Sequence, residues 1–319
     1  MAKRAVRVTA VAASAQLGGT ERVLLDFAAR AFEHDINLRV VTPRGGPLIR
    51  ILNELGIPAE VVPASERMLA GSQRAGHWWT LPGSAAGLIT WARRLGRHPF
   101  FQDADAIYTV AFKAHLAVAW LRRHPVVWHL HEYPPAATSI VWRLTSRFVP
   151  DAMIANSNAT AEAWGGRATY NVQRTTGVER GRRTLHAARC TVVMNGVDLD
   201  RFRPRPRSYW IHEQLGIPRE HRIIGMPAVF ARWKGQPEVI KAFSVIRSQF
   251  SDVHLVIVGG SIYDTVAERE YGVELRASIE GEGQAARGRG EPTGERFPFP
   301  VSRFPQVHLL AFQPKIELV

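Results

Sequence analysis

Short runs of β-branched and apolar residues alternate with longer amphipathic runs along most of this chain. That alternation restricts the fold more than any other feature of its 319 residues. The first run, residues 6–12, interleaves Val6, Val8 and Val11 with Arg7 and Thr9 and reads as a strand. After a glycine-rich turn, Val23, Leu24, Phe27, Ala28 and Ala31 recur at helical spacing. The same pair of patterns repeats. Strands are predicted over 37–42, 59–62, 106–109, 126–130 and 152–155, with helices over 47–55 (ended by Gly56), 84–95, 114–123 and 139–148. Strands separated by helices are joined by crossover connections, so the pattern predicts a parallel sheet covered by helices on both faces.

The alternation then breaks. Residues 165–189 read as a polar loop carrying Arg167, Arg174, Arg180, Arg182, Arg183 and Arg189 against a single acid, Glu179. A strand over 191–194, the turn Asn195-Gly196 and a linker marked by Pro204 and Pro206 follow. Alternation resumes with strands over 223–229 and 253–258 and helices over 237–250 and 265–279. A loop over 280–305, rich in Gly, Pro and Arg, leads to a last strand over 307–311. The expectation is an α/β chain of two Rossmann-like parallel-sheet domains, 1–195 and 196–319, the second incomplete with about three strands.

Forty-one Lys and Arg against 28 Asp and Glu give a formal charge of +13. An excess this large points to an anionic partner: a nucleic acid, an acidic membrane surface or a phosphorylated substrate. Nucleic acid is the weakest of these, because no helix-turn-helix, zinc-finger or RNP-like pattern appears and the arginine loops lack interleaved aromatics. Hydrophobic residues at 46% and charged residues at 22% are a globular composition. The lone Cys190 allows no intrachain disulfide and so requires no oxidising compartment. No run approaches the roughly 18 apolar residues of a membrane span, and the expected location is the cytoplasm.

Three segments carry residue types suited to chemistry. Gln16-Leu17-Gly18-Gly19-Thr20-Glu21-Arg22 lies between the first strand and the first helix. Glycine there lets a ligand approach the backbone, and the following helix offers unpaired N–H groups to an anion. The plainer reading is a strand–helix turn with Thr20 as N-cap. Trp128-His129-Leu130-His131-Glu132 ends a strand, and alternation sets His129 and His131 on one side. The spacing allows a metal pair, a polar active-site edge in which Glu132 tunes an imidazole, or a plain surface pair. Ala231-Arg232-Trp233-Lys234-Gly235-Gln236 follows the first strand of the second half. Two cations before a helix N-terminus suit a diphosphate, although a solvated basic turn is also common in so basic a chain. Val258-Gly259-Gly260 makes the matching turn on the same sheet edge.

Taken in order, several segments resemble the retaining, GT-B-fold glycosyltransferases of family 4 (glycosyl transferases group 1). They are Gly18-Gly19-Thr20-Glu21-Arg22, the histidine-bearing strand end, Ile154-Ala155-Asn156-Ser157, Val193-Met194-Asn195-Gly196-Val197-Asp198 with Phe202 and Pro204, and Arg232-Trp233-Lys234-Gly235-Gln236. The resemblance implies an acceptor-side domain followed by part of a donor-side domain. It implies transfer of a sugar from a nucleotide-sugar to a glycan or glycolipid, with retention, as in polysaccharide biosynthesis. It implies no permanently bound cofactor and no metal.

By the same resemblance, Gly18 and Gly19 lie beside the donor phosphate and the acceptor. His129, or His131 two residues on, contacts the transferred sugar. Arg232 and Lys234 bind the donor diphosphate and stabilise the leaving group, with Gly259 beside them. The family also carries two glutamates late in the donor domain, and these have no counterpart before Val319. The expectation is therefore a C-terminally truncated transferase, the alternative being a non-catalytic homologue that binds glycan, lipid head group or a partner subunit. The basic charge adds an expected peripheral association with the inner face of a membrane.

Overall fold

The structure, a computed structural model, describes residues 4–70, 82–119, 121, 123–134, 139–165, 168–169, 189–263, 265–280 and 306–311. The chain divides into two compact units, 1–196 and 197–319.

Unit 1 runs β1 (Val6–Ala12), α1 (Gly19–Ala31), β2 (Ile36–Thr42), α2 (Pro47–Glu54), β3 (Ala59–Val61), α3 (Glu66–Ala70), α4 (Pro82–Arg97) and α5 (Pro99–Gln102). It continues with β4 (Ala106–Val110), α6 (Phe112–Ala119), β5 (Val126–Leu130), α7 (Ser139–Phe148), β6 (Ala152–Ala155), α8 (Asn158–Ala163), β7 (Ala168–Thr169) and β8 (Arg189–Val192). The eight strands form one sheet in the order β3-β2-β1-β4-β5-β6-β8-β7, and every pairing is parallel. Chain direction across the sheet reverses between β1 and β4, where open α/β sheets leave a crevice at the carboxyl ends of the strands.

Strand alternation divides the unit 1 core. Ala10, Ala12, Tyr108 and Val110 face α1 and α2, where Leu24, Ala28, Leu48 and Leu52 meet them. Val11, Ile107, Trp128 and Leu130 face the other way, onto Trp91, Phe112, Trp142 and Trp164. A sheet buried on both faces needs nearly continuous apolar strands, and these strands have them.

Unit 2 runs α9 (Trp210–Leu215), β9 (Arg222–Pro227), α10 (Gln236–Gln249), β10 (Val253–Gly259), α11 (Val266–Glu280) and β11 (Val307–Ala311). Its described sheet has the order β11-β10-β9 and is again parallel. Leu255 and Ile257 pack with Phe243 and Leu275 from α10 and α11. Val256 and Val258 face the opposite side, toward Ile211 and Leu215 of α9. At the amino ends of these strands the rings of His221, His254 and His308 form a ladder, with N···N separations of 3.0 Å at both rungs.

Several elements differ from the sequence reading. β8 lies two residues earlier than the strand expected over 191–194, because its pairing with β6 sets Ala152 against Arg189 and Ala155 against Val192. Met194 is left exposed. Arg189 accordingly belongs to a strand rather than to the arginine loop, whose other five arginines lie outside the described residues. α6 starts at Phe112 because Ala111 takes φ +73 and its carbonyl accepts from Ala114 N at 3.1 Å and His115 N at 3.2 Å. The Asn-Gly-Val-Asp segment is irregular rather than a turn at Asn195-Gly196; the turn follows it, organised by Asp198, whose Oδ1 accepts from Asp200 N at 2.9 Å and Arg201 N at 3.1 Å. The Gly/Pro/Arg loop falls almost wholly outside the described residues.

Candidate functional site

In unit 1 the residues singled out from sequence gather at the carboxyl edge of the sheet. Gly18 caps α1, and the helix begins at Gly19, so Thr20 sits inside the first turn rather than at the N-cap. No side chain caps this end, and a Cβ placed on Gly19 would meet nothing within 4 Å. The first turn also holds the buried acid Glu21, so what this end offers is open backbone at Gly18 and Gly19 that a ligand can approach.

β5 brings the histidines to the same edge. His129 and His131 do share one side, with ring centroids 4.0 Å apart. His129 is buried and its Nδ1 is hydrogen-bonded to the Tyr108 hydroxyl. His115, on the opposite face, stacks on Trp128 with centroids 4.9 Å apart and bonds Thr109 Oγ1 through Nδ1 at 2.7 Å. Burial pushes His115 and His129 down to about 3 and His131 to about 4, so all three imidazoles are neutral at pH 7. Among the described residues five buried side-chain nitrogen or oxygen atoms lack a hydrogen-bond partner. Three come from one stretch of four residues: Trp128 Nε1, His129 Nε2 and His131 Nε2. Buried polar atoms are normally satisfied; Trp128 Nε1 lies on the opposite face of the sheet, so the two histidine nitrogens on the face toward α1 are the ones that mark a place where another molecule supplies the partner.

Glu132 Oε1 accepts from Phe112 N at 3.0 Å, at the start of α6. No group of three or more His, Cys, Asp or Glu among the described residues converges as a metal site.

Two cations at this edge escaped the sequence reading. Arg44 is half-buried in the turn after β2. That turn packs against the β1–α1 loop, where a Cβ on Gly46 would lie 2.5 Å from the Ala15 carbonyl oxygen. Lys113 is half-buried and donates to the Leu69 carbonyl at 2.8 Å. Burial first, and then the charge of Arg44, hold Lys113 down at about 8, while Glu132 opposes them. A cation inside the glycine-rich β2–α2 turn was the available signal for Arg44. Nothing local marks Lys113.

In unit 2 the Trp-Lys-Gly turn is braced from behind. Arg232 is exposed but not free: its guanidinium makes a two-pronged pair with the Glu274 carboxylate of α11, one arm at 3.1 Å, and lies over the Tyr271 ring at 5.1 Å. Gln236 is fully buried. Its Nε2 donates to the Val229 carbonyl at 2.8 Å, and its Oε1 accepts from the Tyr271 hydroxyl at 3.3 Å. Gly235 adopts φ +78, a conformation that favours glycine, and so turns the chain from Lys234 into α10. Lys234 is exposed, with no side-chain partner among the described residues. Gly259 has a structural duty of its own: a Cβ there would lie 1.9 Å from the Ala228 carbonyl oxygen.

Comparison with known proteins bears on this geometry. The model of Glycosyltransferase Family 4 matches residues 17–201, more than half of the chain. The chain belongs to glycosyltransferase family 4. A second model, Glycosyl transferases group 1, matches residues 210–285, the stretch that holds Lys234 and its bracing. Among solved structures, HepE (Alr3699) of Anabaena in complex with UDP and glucose is 21% identical with a TM-score of 0.62. The match covers 98% of this chain and 71% of that one. A glycosyltransferase of Rickettsia africae is 14% identical with a TM-score of 0.58, over 98% and 70% of the two chains. A UDP-forming α,α-trehalose-phosphate synthase of Burkholderia xenovorans is 15% identical with a TM-score of 0.59, over 98% and 75%. At such identities the likeness is one of fold, the GT-B arrangement of two Rossmann-like units. No curated protein sequence matches the chain. In this glycosyltransferase no helix among the described residues is long and apolar enough to cross a membrane.

Proposed function

We propose that this protein transfers a sugar from a nucleoside-diphosphate sugar, with retention at the anomeric carbon, to a glycan or lipid-linked acceptor, unit 1 serving the acceptor and unit 2 the donor. One observation carries the reading: Lys234 is an exposed cation with no side-chain partner among the described residues, on a braced turn at the start of a 14-residue helix whose N-cap makes no side-chain hydrogen bond. Negative charge grows on the leaving diphosphate as the glycosidic bond breaks, and fixed cations and helix N–H groups stabilise it. HepE, which shares the fold, was solved with UDP-glucose bound, and this supports a uridine nucleotide as the first donor to test. At the unit 1 edge, Gly18, Gly19 and His129 or His131 would meet the sugar and the acceptor. Arg232 acts on the diphosphate from within its pair with Glu274.

Calorimetric titration of UDP tests the reading. Lys234→Ala is expected to weaken binding about 10- to 100-fold, the loss of one charge-assisted contact. The melting temperature should stay unchanged, because Lys234 supports no other side chain. Arg232→Ala should lower affinity and melting temperature together, because it also releases Glu274. Unchanged UDP affinity in Lys234→Ala would defeat the proposal.

The acceptor side of the reading extends to a peripheral location. Ile140, Leu144 and Phe148 stand exposed at successive turns of α7, with Arg143 and Arg147 exposed on the same helix, in a chain of charge +13. An apolar ridge beside cations suits an anionic lipid surface. Co-sedimentation with phosphatidylglycerol vesicles, but not with phosphatidylcholine vesicles, is the expected result. Equal recovery in both supernatants would dismiss the membrane surface while leaving the transferase reading intact.

A further inference from the structure

We infer that Tyr108 is a positioning residue: its hydroxyl gives a hydrogen bond to His129 Nδ1 and thereby fixes His129 as the tautomer whose Nε2 carries the proton and offers it to a ligand oxygen. The argument begins with the phenol. Tyr108 is buried against Phe27 of α1, ring centroids 5.3 Å apart, and among the described residues its hydroxyl has His129 as its one hydrogen-bond partner. A buried hydroxyl whose one neighbour is a ring nitrogen satisfies its O–H only by donating to that nitrogen. If His129 Nδ1 carried the proton instead, the phenol's own proton would be stranded in the core. Burial raises the phenol well above its ordinary range, so it remains a donor throughout the working pH range.

The other end of the ring follows. A neutral imidazole accepting at Nδ1 bears its hydrogen on Nε2. That atom is buried without a partner among the described residues. The strands enforce the arrangement, since β4 and β5 pair with Tyr108 opposite Val127 and Val110 opposite His129. This sets Tyr108 and His129 on the face toward α1.

The consequence deepens the proposed function and rests on it for the identity of the ligand. His129 is a donor at Nε2, suited to a sugar hydroxyl or a phosphate oxygen. It is not the base that removes the acceptor's proton, because a nitrogen that already holds its hydrogen has no lone pair free to take another. His131, whose Nδ1 has no tyrosine behind it, is not fixed in this way.

The test is made on the full chain, ¹⁵N-labelled at histidine. Long-range ¹H–¹⁵N correlation at pH 7.5 is expected to show His129 as the Nε2–H tautomer, its resonances assigned by their loss in His129→Gln. In Tyr108→Phe, which keeps the ring packing, Nδ1–H is expected to become populated. Turnover of UDP-glucose, as transfer or hydrolysis, is then expected to fall about 10-fold with UDP affinity unchanged, a loss in kcat rather than in donor binding. An Nδ1–H form of His129 in the wild type overturns the inference and needs no variant to detect. Unaltered turnover in Tyr108→Phe overturns the ligand-facing role. A wild type that turns over no nucleotide-sugar defeats the transferase reading alone, and the tautomer measurement still decides the positioning role.

Discussion

At pH 5 the protein is expected to have lost about 4 kcal/mol of the stability it has at pH 7.5, through His115 and His129 alone. Burial holds both imidazoles neutral until about pH 3, whereas in the unfolded chain they accept protons near 6.5. Between those values the unfolded state binds more protons than the native state. Stability is therefore complete above pH 6.5 and declines as pH falls below it. Each group contributes about 2 kcal/mol at pH 5, a large part of the roughly 5–15 kcal/mol that a domain possesses. His131, lowered to about 4, acts in the same direction, as do His254 and His308 in the unit 2 ladder, which burial also lowers. Urea titrations at the two pH values, followed by tryptophan fluorescence from Trp91, Trp128 and Trp164 in the unit 1 core, provide the measurement. Coincident midpoints would mean that these rings are charged in the native state.

A methyl group on Gly259 is expected to cost about 3 kcal/mol or more, while the same change at Gly19 leaves the melting temperature within a degree or two. The two glycines look alike in sequence, each in a Gly-Gly pair where the chain passes from a strand toward the following helix. Their surroundings differ. A Cβ on Gly259 would lie 1.9 Å from a backbone oxygen, that of Ala228, which the β9–β10 ladder holds through Ala228 N to Val258 O at 2.9 Å. Backbone cannot swing aside as a side chain can, so β9 and β10 must part at the end that carries the Trp-Lys-Gly turn. A Cβ on Gly19 meets open space at a helix start. In the proposed function Gly19→Ala is thus the cleaner probe. Lost turnover at unchanged stability would report a ligand lying against that backbone, and a lowered melting temperature would contradict the open space. For Gly259→Ala, a melting temperature equal to the wild type would show that the strand ends separate without cost.

What the sequence made legible follows from how far each determinant extends along the chain. β1, β5, β10 and β11 were readable because a buried parallel strand is a local run of apolar and β-branched residues. The helices α3, α5, α8 and α9 were not, because four to six residues hold too little of a 3.6-residue period to register. β8 was misplaced by two residues because its register comes from β6, more than thirty positions away. The site divides along the same line. His129, His131 and Lys234 sit in short motifs at strand ends. The pairing of Arg232 with Glu274, 42 residues later, and of His129 with Tyr108, 21 residues earlier, arises only when strands and helices pack. The contact of Glu132 with Phe112 N, 20 residues earlier, arises in the same way.

The bracing of the Trp-Lys-Gly turn has a kinetic meaning. Gln236 holds the loop to Tyr271, Tyr271 lies under Arg232, and Arg232 is gripped by Glu274, so the turn is already formed before any nucleotide arrives. A ligand landing on Lys234 need not wait for this turn to order, so the rate of capture is governed by diffusion and by attraction between a dianion and a strongly basic chain. Capture should then slow as salt is added. Discrimination among nucleotide-sugars would be written in how long each one stays.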